Sequence, residues 1–217
     1  MKKMAKIIVF EGIAGSGKTT QAEFLKNYLS KKGYKVLLTT LIPKKSIGWM
    51  RIERAIALKR QTNNDGLISF FPIIQTSSLE RKNKKISALI QKYALKHFRK
   101  VMSLRENYDF IIYDRYFYST LVYQLNPQEW IDYSKKFIKP DLAILFDLPA
   151  DRAYFRTLKK EKNKIKNVYE TKEALILARK KYLGVWKKFK LKKINALDKK
   201  NKIFKKVLKI FHKELGF

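Results

Sequence analysis

The segment from Gly12 to Thr19, GIAGSGKT, constrains the fold of this chain more than any other. It fits the pattern G-x-x-x-x-G-K-[ST] at every fixed position, follows a short apolar run and opens a segment with helical spacing. Glycines let backbone N–H groups turn inward around an anion without a Cβ clash. The N-terminus of the following helix adds partial positive charge. The motif therefore predicts a loop that wraps the phosphates of a nucleoside triphosphate, in preference to a plain glycine turn.

Two side chains of this loop indicate chemistry. Lys18 is long enough to reach the terminal phosphates, and the hydroxyl of Thr19 is placed to ligate Mg²⁺. The predicted nucleotide-binding residues of the loop are Gly12, Ile13, Ala14, Gly15, Ser16, Gly17, Lys18, Thr19 and Thr20. The loop alone fits GTPases, motor ATPases and small-metabolite kinases. The sequence lacks the base-reading N/T-K-x-D motif of a GTPase, and its 217 residues leave no room for the extra modules of a motor.

Apolar runs and helical segments alternate along the chain. Strands separated by helices of a dozen or more residues indicate βαβ units and a parallel sheet covered on both faces. The sequence predicts an α/β, doubly wound fold of three layers (α/β/α) with about five strands, and the length favours one domain over residues 1–217. The predicted strands are Lys6–Phe10, Tyr34–Leu41, Tyr108–Asp114, Asp141–Asp147 and about Lys193–Ala196.

The composition is strongly basic, with 50 Lys and Arg against 18 Asp and Glu and a formal charge of +32. The lysines are spread along the chain, which favours solvated faces and weak non-specific association with polyanions over one dedicated nucleic-acid surface. The absence of cysteine excludes disulfides and thiol catalysis. No stretch approaches the roughly 20 apolar residues of a membrane span. We therefore expect a soluble, cytoplasmic protein.

A second constellation, FIIYDRYFYSTLVYQ, covers residues 110–124. It places Asp114 and Arg115 at the exit of a buried-type strand, where ligand crevices of open α/β sheets lie. Asp114 is predicted to hold Mg²⁺ directly or through water. The planar guanidinium of Arg115 is suited to clamp a phosphoryl group with two parallel hydrogen bonds. The alternative is an Asp-Arg pair that merely caps the next helix.

Three segments together, FEGIAGSGKTTQ, DRYFYSTLVYQ and KPDLAILFDLPADRAYFR, resemble the thymidylate kinase family of nucleoside monophosphate kinases. They occur in the family's order and spacing, and the resemblance spans nearly the whole chain. It implies phosphoryl transfer from ATP, with Mg²⁺, to a nucleoside monophosphate, with dTMP as the first choice. It also implies that the chain could pair as a homodimer through helices beside the sheet, although +32 on each subunit opposes close approach.

The resemblance assigns roles to particular residues. Arg115 contacts phosphate, and Tyr116, Tyr123 and Gln124 belong to the stretch that binds the acceptor. A basic lid covers about residues 156–168, with Arg156 as its predicted catalytic residue. Its lysines are hard to assign individually, because each is also explained as an ordinary solvated side chain. Asn195 and Ala196 are weaker candidates for contacts with the donor adenine.

The acceptor half departs from the family's pattern. Ala14 stands where family members commonly carry a carboxylate near the acceptor sugar hydroxyl, and Leu41 replaces an arginine that holds acceptor phosphate. No clean arginine counterpart occurs in the predicted helix 86–104, where Lys96 is the best-spaced cation. Phe71 and Tyr93 are candidates for stacking on the base, although aromatic residues at helical spacing are more often core.

Two other functions are also compatible with the sequence. A deoxynucleoside kinase would suit the missing basic acceptor contacts, but such kinases carry Asp/Glu-Arg-Ser where this chain has Asp114-Arg115-Tyr116. An ATP-dependent nucleic-acid-binding protein would suit the charge. Glu11, which precedes the glycine-rich loop, is expected to be held by backbone amides or a basic neighbour.

Overall fold

Five parallel strands form one sheet in the order β2-β3-β1-β4-β5. The computed structural model describes residues 4–41, 77–160 and 171–217. The predicted α/β class and the parallel sheet of five strands are confirmed. The strands are β1 (Lys6–Glu11), β2 (Val36–Thr39), β3 (Phe110–Asp114), β4 (Leu142–Asp147) and β5 (Lys192–Asn195).

Seven α-helices accompany the sheet in the described ranges. They are α1 (Lys18–Lys31), α2 (Ser77–Met102), α3 (Phe117–Gln124), α4 (Trp130–Ser134), α5 (Ala150–Lys160), α6 (Lys172–Phe189) and α7 (Lys200–Leu215). Short 3₁₀ turns cover Arg105–Asn107 and Pro127–Glu129. None of these helices is long and apolar enough to cross a bilayer.

Two elements differ most from their predicted bounds. The helix predicted over 86–104 begins at Ser77 as α2, because the preceding residues include good helix formers such as Leu, Glu, Arg and Lys even though they carry little apolar periodicity. The strand predicted over 34–41 shortens to Val36–Thr39, the four residues that pair with β3.

The core lies on both faces of the central strands. Ile7, Ile8, Val9 and Phe10 of β1 are all fully buried, so this strand shows no alternation between an inner and an outer face. Such continuous burial is typical of parallel sheets covered by helices on both sides. Burying one such side chain stabilises the fold by about 1.5–3 kcal/mol. The rigid centre of the sheet therefore fixes the loops that follow its strands.

The chain order places a crevice at the carboxyl ends of three neighbouring strands. β1 lies between β3 and β4, and Phe10 pairs with Asp114 on one side and with Ile144 on the other. The glycine-rich loop leaves β1, and Asp114 ends β3, so the two motifs meet at the same edge. Open α/β sheets bind ligands at such switch points in strand order.

The predicted lid lies only partly within the described residues. Its first part, from Arg156, belongs to α5, and residues 161–170 lie outside the described ranges. The lid and the single-domain organisation therefore stay predictions.

Candidate active site

The glycine-rich loop has the backbone that its sequence requires. Gly15 and Gly17 have φ angles of 76° and 85°, in the region that side-chain-bearing residues rarely adopt. A Cβ atom on Gly15 would lie 2.6 Å from the carbonyl oxygen of Ala153 in α5. A Cβ on Gly17 would meet no atom within 4 Å, so only its backbone angle demands glycine. The loop is thus shaped by backbone torsion and by close packing against α5.

Lys18 lies inside this loop. Its side chain is only 6% exposed, and its Nζ donates to the carbonyl oxygen of Ile13 at 3.2 Å. Lys18 is also the first residue of α1, whose first turn contains no acidic residue. The positive end of the helix dipole therefore lacks a local counter-charge from its own first turn. An ammonium and a helix N-terminus at one place form a binding site for an anion.

Thr19 and Asp114 bring the two motifs into direct contact. The Thr19 hydroxyl donates to Oδ2 of Asp114 at 2.5 Å, although the residues are 95 positions apart. The other carboxylate oxygen, Oδ1, is buried and has no hydrogen-bond partner within the described part of the chain. A hydroxyl and a carboxylate suit Mg²⁺, which prefers oxygen ligands and usually keeps waters and substrate phosphates in its shell. The residues present therefore fit the implied metal. No group of three or more His, Cys, Asp or Glu in the described ranges suits a metal held by protein alone.

The backbone of Arg115 is strained and firmly held. Its φ angle is 75°, which is unusual for a residue other than glycine. Its N–H donates to the carbonyl oxygen of Phe10 at 3.0 Å, and its carbonyl accepts from the N–H of Leu41 at 3.2 Å. Strained residues of this kind cluster at functional sites, where neighbouring contacts hold them in place.

The guanidinium of Arg115 lies in a polar network. Its Nη1 donates to the hydroxyls of Ser119 at 3.3 Å and of Tyr182 at 2.9 Å. Burial acts to lower the pKa of Arg115, but the combined effect of Tyr182, Tyr123, Glu11 and Asp114 outweighs it, so the pKa lies above its ordinary value. Arg115 therefore keeps its positive charge. The face of Tyr123 lies 5.6 Å from its Cζ, within the range of a cation–π contact.

Glu11 supplies the negative charge of this network. Its side chain is fully buried, and its carboxylate accepts from the N–H of Tyr116 at 2.7 Å. Burial raises the pKa of Glu11, while the charge of Arg115 and the hydrogen bonds to the carboxylate act in the opposite direction. The expectation that Glu11 is held by backbone amides or a basic neighbour is confirmed by the amide of Tyr116. The backbone bond also places its carboxylate at the start of α3, where negative charge is stabilising.

Arg156 closes the opposite side of the loop. Its Nη1 donates to the carbonyl oxygen of Gly15 at 3.4 Å, and its Nη2 donates to that of Ala196 at 3.2 Å. Ala196 in turn donates its N–H to the carbonyl oxygen of Asp147 at 2.8 Å. The side chain of Asn195 accepts from the N–H of Leu197 at 3.0 Å and shapes the turn after β5. The residues predicted for the donor side thus come together around the glycine-rich loop.

Within the described ranges, the residues predicted to bind the acceptor make fewer contacts with one another than those predicted for the donor side. Tyr123 contacts Arg115, and Gln124 is half-buried at the end of α3. Tyr93 is partly exposed on α2, and Lys96 is exposed on the same helix. Phe71 lies outside the described residues. The structure therefore brings Arg115 and Tyr123 together.

The side chain of Tyr116, a residue predicted for the acceptor site, lies in the core. Its ring has no exposed surface and packs among the aromatic rings of Phe98 and Phe137. Its hydroxyl donates to the carbonyl oxygen of Ile138 at 3.1 Å. The chain turns sharply at Arg115, so the next side chain points into the core.

Two residues around the site, Tyr182 and Arg179, could not be identified from local sequence patterns. Tyr182 is 1% exposed and belongs to the buried stripe of α6, where its spacing is that of an ordinary core residue. Arg179 binds both oxygens of Asp147, through Nε at 2.8 Å and Nη2 at 3.2 Å, and joins α6 to the end of β4. An aspartate at the end of a strand, such as Asp147, indicates a polar contact there, but the sequence does not indicate that Arg179 is its partner.

Known proteins with similar sequences cover nearly all of the chain. A probable thymidylate kinase 1 from Saccharolobus solfataricus is 30% identical, over 98% of this chain and 100% of its own. A probable thymidylate kinase from Pyrococcus abyssi is 31% identical, over 96% of each chain. The crystal structure of thymidylate kinase from Ehrlichia chaffeensis shares the fold, with a TM-score of 0.61 at 22% identity over 96% of this chain and 99% of that one.

The family comparison agrees with the motifs. The sequence model of the thymidylate kinase family matches residues 10–207, which include the glycine-rich loop, the Asp-Arg pair and α5. The resemblance inferred from the three motifs is confirmed. The chain therefore belongs to the thymidylate kinase family, a family of ATP-dependent nucleotide kinases.

Proposed function

We propose that this protein transfers the γ-phosphoryl group of ATP to dTMP and releases dTDP and ADP. The observation that carries the proposal is the contact between Thr19 and Asp114, at 2.5 Å. It joins the triphosphate loop to the Asp-Arg pair, so the donor phosphates and Arg115 would share one crevice. Family membership favours this reaction over a deoxynucleoside kinase or an ATP-dependent nucleic-acid-binding protein.

The chemistry needs alignment and charge neutralisation more than covalent help. Lys18 and the backbone N–H groups of the loop would hold the β- and γ-phosphates of ATP. Arg115, at the end of β3, would bind the phosphate of the acceptor and the phosphoryl group during its transfer. When bound at Thr19 and Asp114, Mg²⁺ would neutralise charge on the β- and γ-phosphate oxygens.

The donor base would lie on the far side of the loop. Arg156 spans the carbonyls of Gly15 and Ala196, and these residues with Asn195 are the proposed surroundings of the adenine. Arg156 begins the proposed lid over residues 156–168. Closure of such a segment excludes water, so that ATP is transferred to the acceptor and not hydrolysed.

The acceptor side would be built from Arg115, Tyr123 and Gln124, with Tyr93, Lys96 and Phe71 as further proposed contacts. Such a kinase works where ATP and nucleotides are pooled, so we propose a cytoplasmic location. We also retain a homodimer as a proposal. The charge of +32 supports weak association with polyanions at low salt, without a dedicated nucleic-acid site.

The test is an acceptor panel. Release of ADP is followed with ATP, Mg²⁺ and each of dTMP, dUMP, UMP, CMP, AMP and GMP, with thymidine as a separate arm. We expect the highest kcat/KM with dTMP, and dTDP as the chromatographically identified product. Turnover of thymidine but not of dTMP would establish a deoxynucleoside kinase instead. Stimulation of ATPase activity by RNA at physiological salt, with no response to any nucleotide, would overturn the proposal in favour of nucleic-acid binding.

A further inference from the structure

Tyr182 occupies the centre of the buried network around Arg115. Its hydroxyl lies 2.9 Å from Nη1 of Arg115 and 2.9 Å from Oε2 of Glu11. The hydroxyl of Ser119 makes the same two contacts, at 3.3 Å and 2.7 Å. Two hydroxyls therefore bridge one guanidinium and one carboxylate.

Counting protons gives the direction of each bond. A guanidinium only donates and an ionised carboxylate only accepts, whereas a hydroxyl does both. Burial raises the pKa of the Tyr182 phenol well above 10, so it keeps its proton. Tyr182 and Ser119 can thus each accept from Arg115 and donate to Glu11. The bridge is satisfied when Arg115 and Glu11 are both ionised.

Arg115 has N–H groups beyond those that bind the two hydroxyls. Nη1 carries two N–H groups, and the two hydroxyls accept from both. The Nε and Nη2 groups make no hydrogen bond to any residue in the described ranges. Those two nitrogens form the edge that binds two oxygens of a phosphate in parallel. Fixing Nη1 therefore fixes the plane of that edge.

We propose that Tyr182 is a positioning residue for phosphoryl transfer, which holds Arg115 by Nη1 so that its Nε–Nη2 edge meets the phosphoryl group. The inference rests on the proposed function and adds to it a residue of α6 that never touches the substrate. The strained backbone of Arg115, with φ at 75°, supports it, because such a conformation persists only where surrounding contacts enforce it.

The network also joins distant parts of the chain, because Tyr182 of α6 lies 67 positions from Arg115 and 171 positions from Glu11.

The test compares Tyr182→Phe with Tyr113→Phe. Both remove one hydroxyl from a buried tyrosine, but the Tyr113 hydroxyl has no partner in the described part of the chain. A hydrogen bond to a charged group that is lost in this way corresponds to about a 10- to 100-fold effect. We expect Tyr182→Phe to lower kcat/KM for dTMP by that factor, to change KM for ATP less than about twofold, and Tyr113→Phe to leave both unchanged.

A double-mutant cycle separates positioning from a merely structural role. If Tyr182 acts through Arg115, the variant with both Arg115→Ala and Tyr182→Phe should be no slower than Arg115→Ala alone. Multiplying effects would overturn the inference. Ser119→Ala, which removes the second acceptor of Nη1, provides the same cycle if Tyr182→Phe does not fold.

The outcomes distinguish this inference from the function on which it rests. A wild-type protein that phosphorylates none of the acceptors overturns the proposed function and this inference with it. A wild-type protein that phosphorylates dTMP, beside a Tyr182→Phe variant with unchanged kcat/KM, overturns the inference alone.

Discussion

The proposed donor side and the proposed acceptor side of the site are built in different ways. The donor side is a run of consecutive residues, 12–19, whose shape comes from glycine backbone angles and close packing against α5. The acceptor side depends on one arginine held by side chains from elsewhere, the most distant of them in α6 and 67 residues away. Backbone geometry fixes the first, and individual hydroxyls fix the second.

This difference has consequences for substitution. On the donor side, we expect the non-glycine positions of the loop, such as Ile13 and Ala14, to contribute mainly backbone N–H groups, so that their side chains matter little for phosphate binding. On the acceptor side, the loss of one hydroxyl changes the hydrogen bonds of a charged group in a mostly buried place. Hydrogen bonds to charged groups contribute about 1.5–3 kcal/mol each. The donor side should therefore be sensitive at glycines and Lys18, and the acceptor side at polar side chains.

The largest expected effect is that of Lys18→Ala. Its ammonium lies within the loop, and losing one preorganised donor of this kind lowers kcat by about 10³-fold. Steady-state rates with ATP and dTMP measure the change, and circular dichroism verifies the fold. The matched control is Lys26→Ala, an exposed lysine of the same helix, which should keep wild-type rates. Retained activity in Lys18→Ala would refute the role given to this residue.

Asp114→Asn should lower kcat by about 10²-fold and raise the Mg²⁺ concentration needed for half-maximal rate, because it removes one anionic ligand. Rates measured over a series of Mg²⁺ concentrations test this directly. Asp132→Asn removes an aspartate whose side chain is 81% exposed and serves as the control. An unchanged Mg²⁺ requirement in Asp114→Asn would place the metal elsewhere.

Two glycines of the loop offer a comparison in stability. Gly15→Ala would force a Cβ to within 2.6 Å of the Ala153 carbonyl oxygen at a φ of 76°. Gly17→Ala meets no atom within 4 Å and is disfavoured by its φ of 85° alone. We expect Gly15→Ala to lower the free energy of unfolding by about 2–3 kcal/mol and Gly17→Ala by about 1 kcal/mol. Urea denaturation measures both, and equal losses would show that packing against α5 does not shape the loop.

The smallest effect concerns Glu11 and pH. Its pKa is raised from 4.5, so the folded chain binds this proton more tightly than the unfolded chain. The contribution of Glu11 to stability is therefore fully present below pH 4.5 and declines as pH rises through the raised pKa. As pH rises through this range, the free energy of unfolding of wild type should fall relative to that of Glu11→Gln. Denaturant titrations at several pH values test it, and a difference that moves in wild type's favour would contradict the upward direction of the pKa.

The sequence allowed the geometry of the glycine-rich loop to be predicted, because its information is local. The pattern from Gly12 to Thr19 implies both the backbone angles and the start of α1. The meeting of Thr19 with Asp114 also followed from sequence, since parallel strands end at one edge of a sheet. To predict this contact, it was enough to identify the two strands and their parallel direction.

The acceptor side was harder to predict because its contacts are long-range. Tyr182 shares its helical stripe with residues such as Ala178 and Val185, so its spacing indicates core and nothing more. The burial of the Tyr116 side chain was not predicted, because it follows from the left-handed turn at Arg115. Neither the turn nor the hydroxyl bridge leaves a pattern in neighbouring residues.

The most direct measurement is the separate binding of each substrate to wild type and to Arg115→Ala. Isothermal titration calorimetry with dTMP and with a non-hydrolysable ATP analogue gives the two dissociation constants independently. The account predicts that Arg115→Ala weakens dTMP by about 10- to 100-fold and the ATP analogue by less than about twofold, as expected for the loss of a paired guanidinium on one side of the crevice. Weakened binding of the ATP analogue with unchanged binding of dTMP would contradict it.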